Sequence, residues 1–140
     1  MSARDAEARA MLVLRIDDDS DIPVVLVRLG AFLATQGIEA SEGARIATAT
    51  VELATNIVKY AKRGIIRVRA LQLGSLRGIE VEAEDKGPGI ADVNLALTDS
   101  YSTSGSLGLG LPGVRRLMDD FDIRSTVGSG TTVRVRRWMS

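Results

Sequence analysis

The sequence predicts an α+β fold, a two-layer α/β sandwich in which helices cover one face of a mixed but mostly antiparallel sheet. Several short segments alternate apolar and polar residues with a period of two, as strands do when they bury one face. Two longer segments carry apolar residues at i, i+3 and i+4, which is the spacing of amphipathic helices. Short glycine-containing turns join two pairs of the strands, so those pairs are antiparallel.

The elements follow one another within a single domain over residues 11–140, after a loose, charged N-terminal tail over residues 1–10. The second helix has an apolar stripe that includes Ile57 and Tyr60, and the third continues its apolar face to Phe121. The first predicted elements are a strand over Leu12–Ile16 and a helix that is capped at Ser20 or Asp21, has Pro23 in its first turn and ends at Gly37. A second helix runs from Ser41 to about Arg63, and strands over Ile65–Leu73 and Ile79–Asp85 follow it, joined by a turn over Gly74–Gly78. The last elements are a helix with Pro112 in its first turn and strands over Asp122–Val127 and Thr132–Trp138.

The strand periodicity also separates the two faces of the sheet. Ile79, Val81 and Ala83 point toward the helices. The alternate positions on three strands carry Glu80, Glu82, Glu84, Arg67, Arg69, Arg134 and Arg136. Glutamates therefore face arginines across strands on a solvated outer surface, and each pair contributes roughly 0.2–1 kcal/mol.

The composition excludes several classes of function. Lys plus Arg and Asp plus Glu number 18 each, so the net charge is zero and gives no electrostatic reason to expect a nucleic-acid or membrane partner. The chain has no cysteine and no histidine, which excludes disulfides, thiolate or imidazole metal sites, a Ser–His–Asp triad and an internal phosphohistidine. No long apolar run or secretory leader is present, so we expect a cytoplasmic protein.

Asp85 stands at a position that the alternation assigns to the buried side of its strand. It is followed directly by a tight turn, Gly87-Pro88-Gly89, which leaves room beside the acid. One interpretation is a ligand pocket in which the carboxylate accepts a hydrogen bond from a planar amine such as that of adenine. The other is an aspartate that caps its own turn, since Asp is common before Gly in turns.

The second helix carries Glu52 and Asn56 at i, i+4, with Lys59 three residues further on, so all three share one face. A carboxylate and a carboxamide one turn apart suit magnesium-dependent phosphoryl transfer, because Mg²⁺ takes oxygen ligands and a glutamate can accept the proton of an attacking hydroxyl. The alternative is an ordinary solvated helix face.

A glycine-rich stretch, Tyr101–Met118, leads into the third helix. Its glycines let a phosphate approach the backbone closely, and the bare N–H groups at the start of a helix favour an anion. The stretch therefore predicts a mobile phosphate-binding loop. A flexible surface loop that simply ends in a helix start is the alternative.

Four runs in this order, VELATNIVKYA, EDKGPGI, GSLGLGLPGVRRLMDDF and GSGT, resemble the N, G1 and G2 boxes of the GHKL (Bergerat-fold) ATPase and kinase superfamily. Within the superfamily the chain is similar to the anti-sigma-factor serine/threonine kinases, in particular the RsbT-type stressosome switch kinases. This resemblance also includes YSTSG and covers roughly residues 10–138.

The resemblance implies an ATP and Mg²⁺ site. Glu52 would be the general base, Asn56 the Mg²⁺ ligand, and Asp85 the acceptor of the adenine amine, assisted by Thr131. Residues 102–110 would form the lid over the phosphates. The full nucleotide-binding set that it implies is Asn56, Lys59, Asp85, Gly87, Gly89, Ser102, Thr103, Ser104, Gly105, Gly108, Leu109, Gly110, Leu111 and Thr131.

The resemblance also implies the biological role. The family phosphorylates STAS-domain antagonist and scaffold proteins on serine or threonine, in a partner-switching stress response that controls a sigma factor. Its RsbT branch, once released, activates a PP2C-type phosphatase. The alternative is a nucleotide-gated anti-sigma factor or binding module with little kinase turnover. A gyrase-like or chaperone-like ATPase and a sensor histidine kinase both fit poorly, the latter because the chain has no phosphoacceptor histidine.

Overall fold

A computed structural model of the chain describes residues 6–91, 93, 97 and 110–140. The predicted α+β sandwich is confirmed: an antiparallel sheet of five strands, in the order β1-β2-β3-β5-β4, carries the helices on one face. The described elements are β1 (Glu7–Ile16), α1 (Asp21–Thr35), α2 (Ala40–Asn56), a π-helical turn (Ile57–Ala61), β2 (Gly64–Leu73), β3 (Leu76–Asp85), α3 (Gly110–Leu117), β4 (Asp120–Thr126) and β5 (Gly130–Met139).

The core lies between the inner face of the sheet and the helices. Val68, Val81 and Val135 lie side by side on β2, β3 and β5, and none of them is accessible to solvent. Leu29 of α1 and Leu53 of α2 belong to the same buried cluster. Burial of side chains of this size contributes about 1.5–3 kcal/mol each, as an upper estimate.

The outer face of the sheet is a lattice of alternating charges, as the strand periodicity predicts. Glu80 accepts hydrogen bonds from Arg69 and Arg136, each at 2.8 Å. Glu82 is held in the same way by arginines on both neighbouring strands, Arg67, Arg69 and Arg134. The expectation of a solvated surface is wrong for Glu80 and Glu82, each only 7% exposed, because the arginine side chains cover them.

The start of β1 differs from the predicted N-terminal tail. The strand begins at Glu7, which pairs with Gln72, so residues 7–10 belong to the sheet. A register shift between Ala8 and Ala10 interrupts the alternation on which the prediction depended. No helix within the described ranges is long and apolar enough to cross a membrane.

The start of α1 is organised differently from the predicted cap. Pro23 lies in its first turn and Gly37 follows its end with φ of 71°, as predicted. Ser20, however, makes no side-chain capping bond. The Asp21 carboxylate instead accepts the backbone N–H groups of Asp17 and Asp18, which fixes the loop before the helix.

The turn between β2 and β3 is shorter than predicted. It consists of Gly74 and Ser75, with Gly74 at φ of 61°, and Leu76 already belongs to β3. Gly78, predicted to lie in the turn, is a strand residue that lies under the Trp138 ring: a Cβ built on it would lie 2.5 Å from that ring. Glycine is needed at this position because the Trp138 ring packs against the backbone there, and not because the chain turns.

The last two predicted helices are also shorter than expected. α2 ends at Asn56, and the π-helical turn that follows buries Ile57 but leaves Tyr60 46% exposed, outside the stripe predicted for it. α3 has Pro112 in its first turn, as predicted, but it ends at Leu117. Phe121 lies in β4, where it pairs with Val135. An apolar residue at i+7 therefore fitted the helical spacing by coincidence.

Candidate active site

Asp85 lies at the end of β3 and organises the turn that follows it. Its Oδ1 accepts the backbone N–H of Gly87 at 2.9 Å and that of Thr131, on β5, at 3.3 Å. Asp85 is half-buried rather than fully buried. The interpretation as a turn cap is therefore confirmed. Within the described residues both of these bonds are made by Oδ1.

The turn after Asp85 is packed between two other segments. A Cβ built on Gly87 would lie 2.6 Å from the Cβ of Ala61, in the π-helical turn. Gly89 has φ of 78°, and a Cβ there would lie 2.3 Å from the carbonyl oxygen of Thr126. The Pro88 carbonyl accepts the N–H of Gly128 at 2.8 Å. Both glycines of the predicted motif are required by close approach of the backbone.

Glu52 and Asn56 lie in the last turns of α2. Glu52 is 1% exposed and Asn56 is half-buried. Lys59 is exposed, with its Nζ 5.4 Å from the centroid of the Tyr60 ring. Lys59 lies in the π-helical turn that follows Asn56, where the residue spacing differs from that of the α-helix on which the prediction of one shared face depended.

The end of α2 and the end of β3 meet at one side of the molecule. Asp85 pairs with Gly64 of β2, where a Cβ would lie 2.8 Å from the side chain of Ile57. The π-helical turn, which directly follows Asn56, therefore packs beside Asp85 and beside its turn. Asn56 and Asp85 belong to one region and do not lie on opposite sides of the domain.

The N-terminus of α3 lies within the glycine-rich stretch. Gly110 opens the helix with φ of 55°, and Leu111 packs against the core. Arg45 of α2 donates a hydrogen bond to the carbonyl of Leu117 at 3.2 Å, which ties the other end of α3 to α2. The predicted lid residues Ser102, Thr103, Ser104, Gly105, Gly108 and Leu109 lie outside the described residues.

The residue types at the end of α2 fit a magnesium ion that is held mainly by phosphate oxygens. Asn56 has a hard carbonyl oxygen of the kind that Mg²⁺ accepts alongside waters and nucleotide phosphates, and Glu52 lies one helical turn before it. In the part of the chain that the structure describes, no three or more Asp, Glu, His or Cys side chains gather into a ready metal cluster.

Sequence reasoning missed Ser125, on β4. Its Oγ accepts the backbone N–H of Ile90 at 2.7 Å and lies 2.7 Å from the hydroxyl of Thr131. Ser125 thus connects the turn after Asp85 to β5. The available signal was its place in the alternation, which puts this hydroxyl on the same side as Phe121 and Ile123.

Comparison with known proteins identifies the family. Residues 17–137 match the model of the histidine kinase-like ATPase domain. The chain is 42% identical over 127 residues to the serine/threonine-protein kinase RsbT of Bacillus subtilis (strain 168), covering 90% of this chain and 95% of that protein. It is 34% identical over 117 residues to an anti-sigma F factor of Caldanaerobacter subterraneus subsp. tengcongensis, covering 79% of this chain and 80% of that protein.

A solved structure supports the fold independently. A chain of the SiaB-SiaC complex from Pseudomonas aeruginosa superposes with a TM-score of 0.58 at 12% identity, covering 91% of this chain and 89% of that chain. At this identity the likeness concerns the fold alone. The sequence matches lead to one conclusion: the chain belongs to the histidine kinase-like ATPase domain family, and its enzyme class is that of the protein serine/threonine kinases.

Proposed function

We propose that the protein transfers the γ-phosphoryl group of ATP to a serine or threonine hydroxyl of a protein partner, with Glu52 as the general base. The hydroxyl oxygen forms a bond to the γ-phosphorus while its proton passes to the Glu52 carboxylate. The bond from the γ-phosphorus to the β,γ-bridging oxygen breaks, and ADP leaves. Burial of Glu52 keeps water away from this base.

The observation that carries the proposal is the packing of the turn after Asp85 against the π-helical turn after Asn56. A Cβ on Gly87 would overlap Ala61, so these two backbones are in contact. Asp85, whose carboxylate suits an amine, and Asn56, whose carboxamide suits a metal ion, therefore border the same region. A purine nucleotide needs both: recognition of its base at one end and of its phosphates at the other.

The other roles follow from the chemistry of the side chains. Asp85 binds the adenine amine, and Thr131, on the neighbouring strand, assists it. Asn56 holds Mg²⁺, which neutralises charge on the phosphates when it is bound. Lys59 adds a cation close to the phosphates. The lid residues and Gly110 and Leu111 supply backbone N–H groups at the start of α3.

We further propose that the substrates are STAS-domain antagonist and scaffold proteins in a cytoplasmic partner-switching pathway that controls a sigma factor. In this role the kinase, once released from them, activates a PP2C-type phosphatase. The similarity to RsbT over 95% of that protein's length supports this assignment, as do the runs ELATNI, EDKGPGI and GLGLPGVRRLMDDF.

Intact-mass measurement tests the proposal. The protein is incubated with Mg-ATP and candidate STAS-domain proteins, and the mass of each partner is followed over time. We expect a gain of one phosphate on a partner, slowed about 10²–10⁴-fold by Glu52→Gln, which keeps the size of the side chain but cannot accept the proton. ATP binding should persist in that variant. Phosphorylation at the wild-type rate by Glu52→Gln would reject the role of the base.

The similarity to an anti-sigma F factor favours a second candidate, a nucleotide-gated binding module with little turnover. Both candidates need ATP and a partner surface. The same experiment separates them: a stable complex that forms with ATP, without any gain of phosphate on the partner, supports the binding module and contradicts the kinase.

A further inference from the structure

Ser125 lies at the junction of three segments around Asp85. Its Oγ accepts the N–H of Ile90, just after the Gly87-Pro88-Gly89 turn, at 2.7 Å. The same oxygen is 2.7 Å from Thr131 Oγ1 and 3.3 Å from the Gly130 carbonyl oxygen. The N–H of Thr131, in turn, donates to Asp85. One hydroxyl therefore joins the turn to the strand that contacts Asp85.

A hydrogen bond of typical length joins the hydroxyls of Ser125 and Thr131. Ser125 has one proton to donate, and O–H···O bonds have a typical length of about 2.7–2.8 Å. The contact with Thr131 has this length, whereas the contact with the Gly130 carbonyl is longer. Either hydroxyl can be the donor in the contact between Ser125 and Thr131. In both cases the bond restrains the Thr131 side chain.

We infer that Ser125 is a positioning residue that fixes the Thr131 hydroxyl for contact with the adenine base. This inference rests on the proposed function, in which Asp85 and Thr131 bind that base. Ser125 sets the rotamer of Thr131 and anchors the turn at Ile90, so that Thr131 and Asp85 can both contact the same bound base. It acts on nucleotide affinity rather than on the chemical step.

A double-mutant cycle with ADP as the probe tests the inference. ADP affinity is measured by calorimetry on the full chain for the wild type, Ser125→Ala, Thr131→Val and the double variant. We expect each single change to weaken ADP binding about 5–20-fold, the value of one lost hydrogen bond in a part-buried position. The loss of affinity in the double variant should be smaller than the two single losses combined, because Ser125 acts in part through Thr131. Ser129→Ala, at an exposed position in the same hairpin, is the control and should bind as the wild type does.

The outcomes separate this inference from the function on which it rests. Unchanged ADP affinity in Ser125→Ala, or effects that add fully in the double variant, would overturn the inference. If Asp85→Asn weakens ADP binding while Ser125→Ala does not, only the role of Ser125 fails. If the wild type does not bind ADP, the proposed function fails. In kinase assays Ser125→Ala should raise KM for ATP and leave kcat at saturating ATP unchanged.

Discussion

Asp85 and Thr131 are joined across two adjacent strands by a 3.3 Å hydrogen bond from the Thr131 N–H to the carboxylate, although 46 residues separate them in the chain. A Cβ built on Gly130, the residue before Thr131, would lie 2.1 Å from the Asp85 carbonyl oxygen. Only glycine lets β5 approach β3 this closely here. The GSGT run and the EDKGPGI run are therefore two parts of one structural unit.

We expect Asp85→Asn to weaken ADP binding by about 1–3 kcal/mol, since a charge-assisted hydrogen bond to the adenine amine is lost. The substitution suits the site because an asparagine oxygen can still accept the N–H groups of Gly87 and Thr131. The stability of the fold should therefore change little. Calorimetric titration with ADP and thermal unfolding measure the two effects separately. Wild-type affinity in this variant would reject the role of Asp85 in base recognition.

The sheet and its charged face could be predicted because a period of two is a strong local signal. Glu80 and Glu82 alternate with apolar residues, and arginines follow the same pattern on both neighbours, so the faces and pairs follow from the sequence. The depth of burial could not be predicted. It depends on how far the arginine side chains fold over the glutamates, which is a matter of three-dimensional packing.

The candidate site was predictable only in part, because some of its contacts join elements that are far apart in the sequence. Asp85, Gly87 and Gly89 are adjacent in the chain and predict a turn by themselves. The end of α2 was extended too far because the π-helical turn over Ile57–Ala61 has the apolar composition of a continued helix. Ser125 was missed because its partners, Ile90 and Thr131, lie in other elements, and no local pattern reports such contacts.

Glu82 is expected to contribute to stability in a way that depends on pH. Burial raises the pKa of its carboxyl, but the hydrogen bond and charge of Arg134, with help from Arg69 and Arg67, outweigh burial and lower that pKa. A carboxyl whose pKa is lower in the folded state stabilises the fold above its unfolded pKa, about 4.3, and this contribution is lost as the pH falls through the folded value. We expect Glu82→Gln to cost about 2 kcal/mol at pH 7 and less near pH 3.

Urea unfolding at the two pH values measures this cost. Glu84→Gln is the matched control: Glu84 is the next outward position on β3, its side chain is 39% exposed, and its contact with Arg67 is 3.5 Å long. It should cost no more than about 0.5 kcal/mol. Equal costs for the two variants would show that the buried lattice contributes no more than an exposed pair.

Arg137 connects the sheet to α2 through Glu42, to which it donates hydrogen bonds of 2.7 and 3.1 Å. The hydrogen bond from Arg137 lowers the pKa of the Glu42 carboxyl. We expect Arg137→Lys to raise that pKa toward its ordinary value and to cost about 1 kcal/mol, because lysine cannot reproduce the two-pronged contact. NMR titration of the Glu42 carboxyl and urea unfolding measure these effects.

The control for Arg137 is Arg124→Lys, since Arg124 forms an exposed pair with Asp122 at 3.4 Å. This change should have almost no effect on the free energy of unfolding. A Glu42 titration that is identical in the wild type and Arg137→Lys would mean that the second N–H contributes nothing.

Gly87→Ala should disturb both the fold and the candidate site. The added methyl would lie 2.6 Å from the Ala61 Cβ and 2.9 Å from its Cα, so the turn after Asp85 has to move away from the π-helical turn. Overpacking of this kind costs typically about 1–3 kcal/mol, and we expect ADP affinity to fall by about tenfold or more. Gly30→Ala is the contrasting change: a Cβ there meets nothing within 4 Å, in the interior of α1, so it should stabilise the fold by about 0.5–1 kcal/mol and leave ADP binding unaltered. If Gly87→Ala kept both wild-type stability and wild-type ADP affinity, the contact between the two turns would not be what brings Asp85 and Asn56 to one nucleotide.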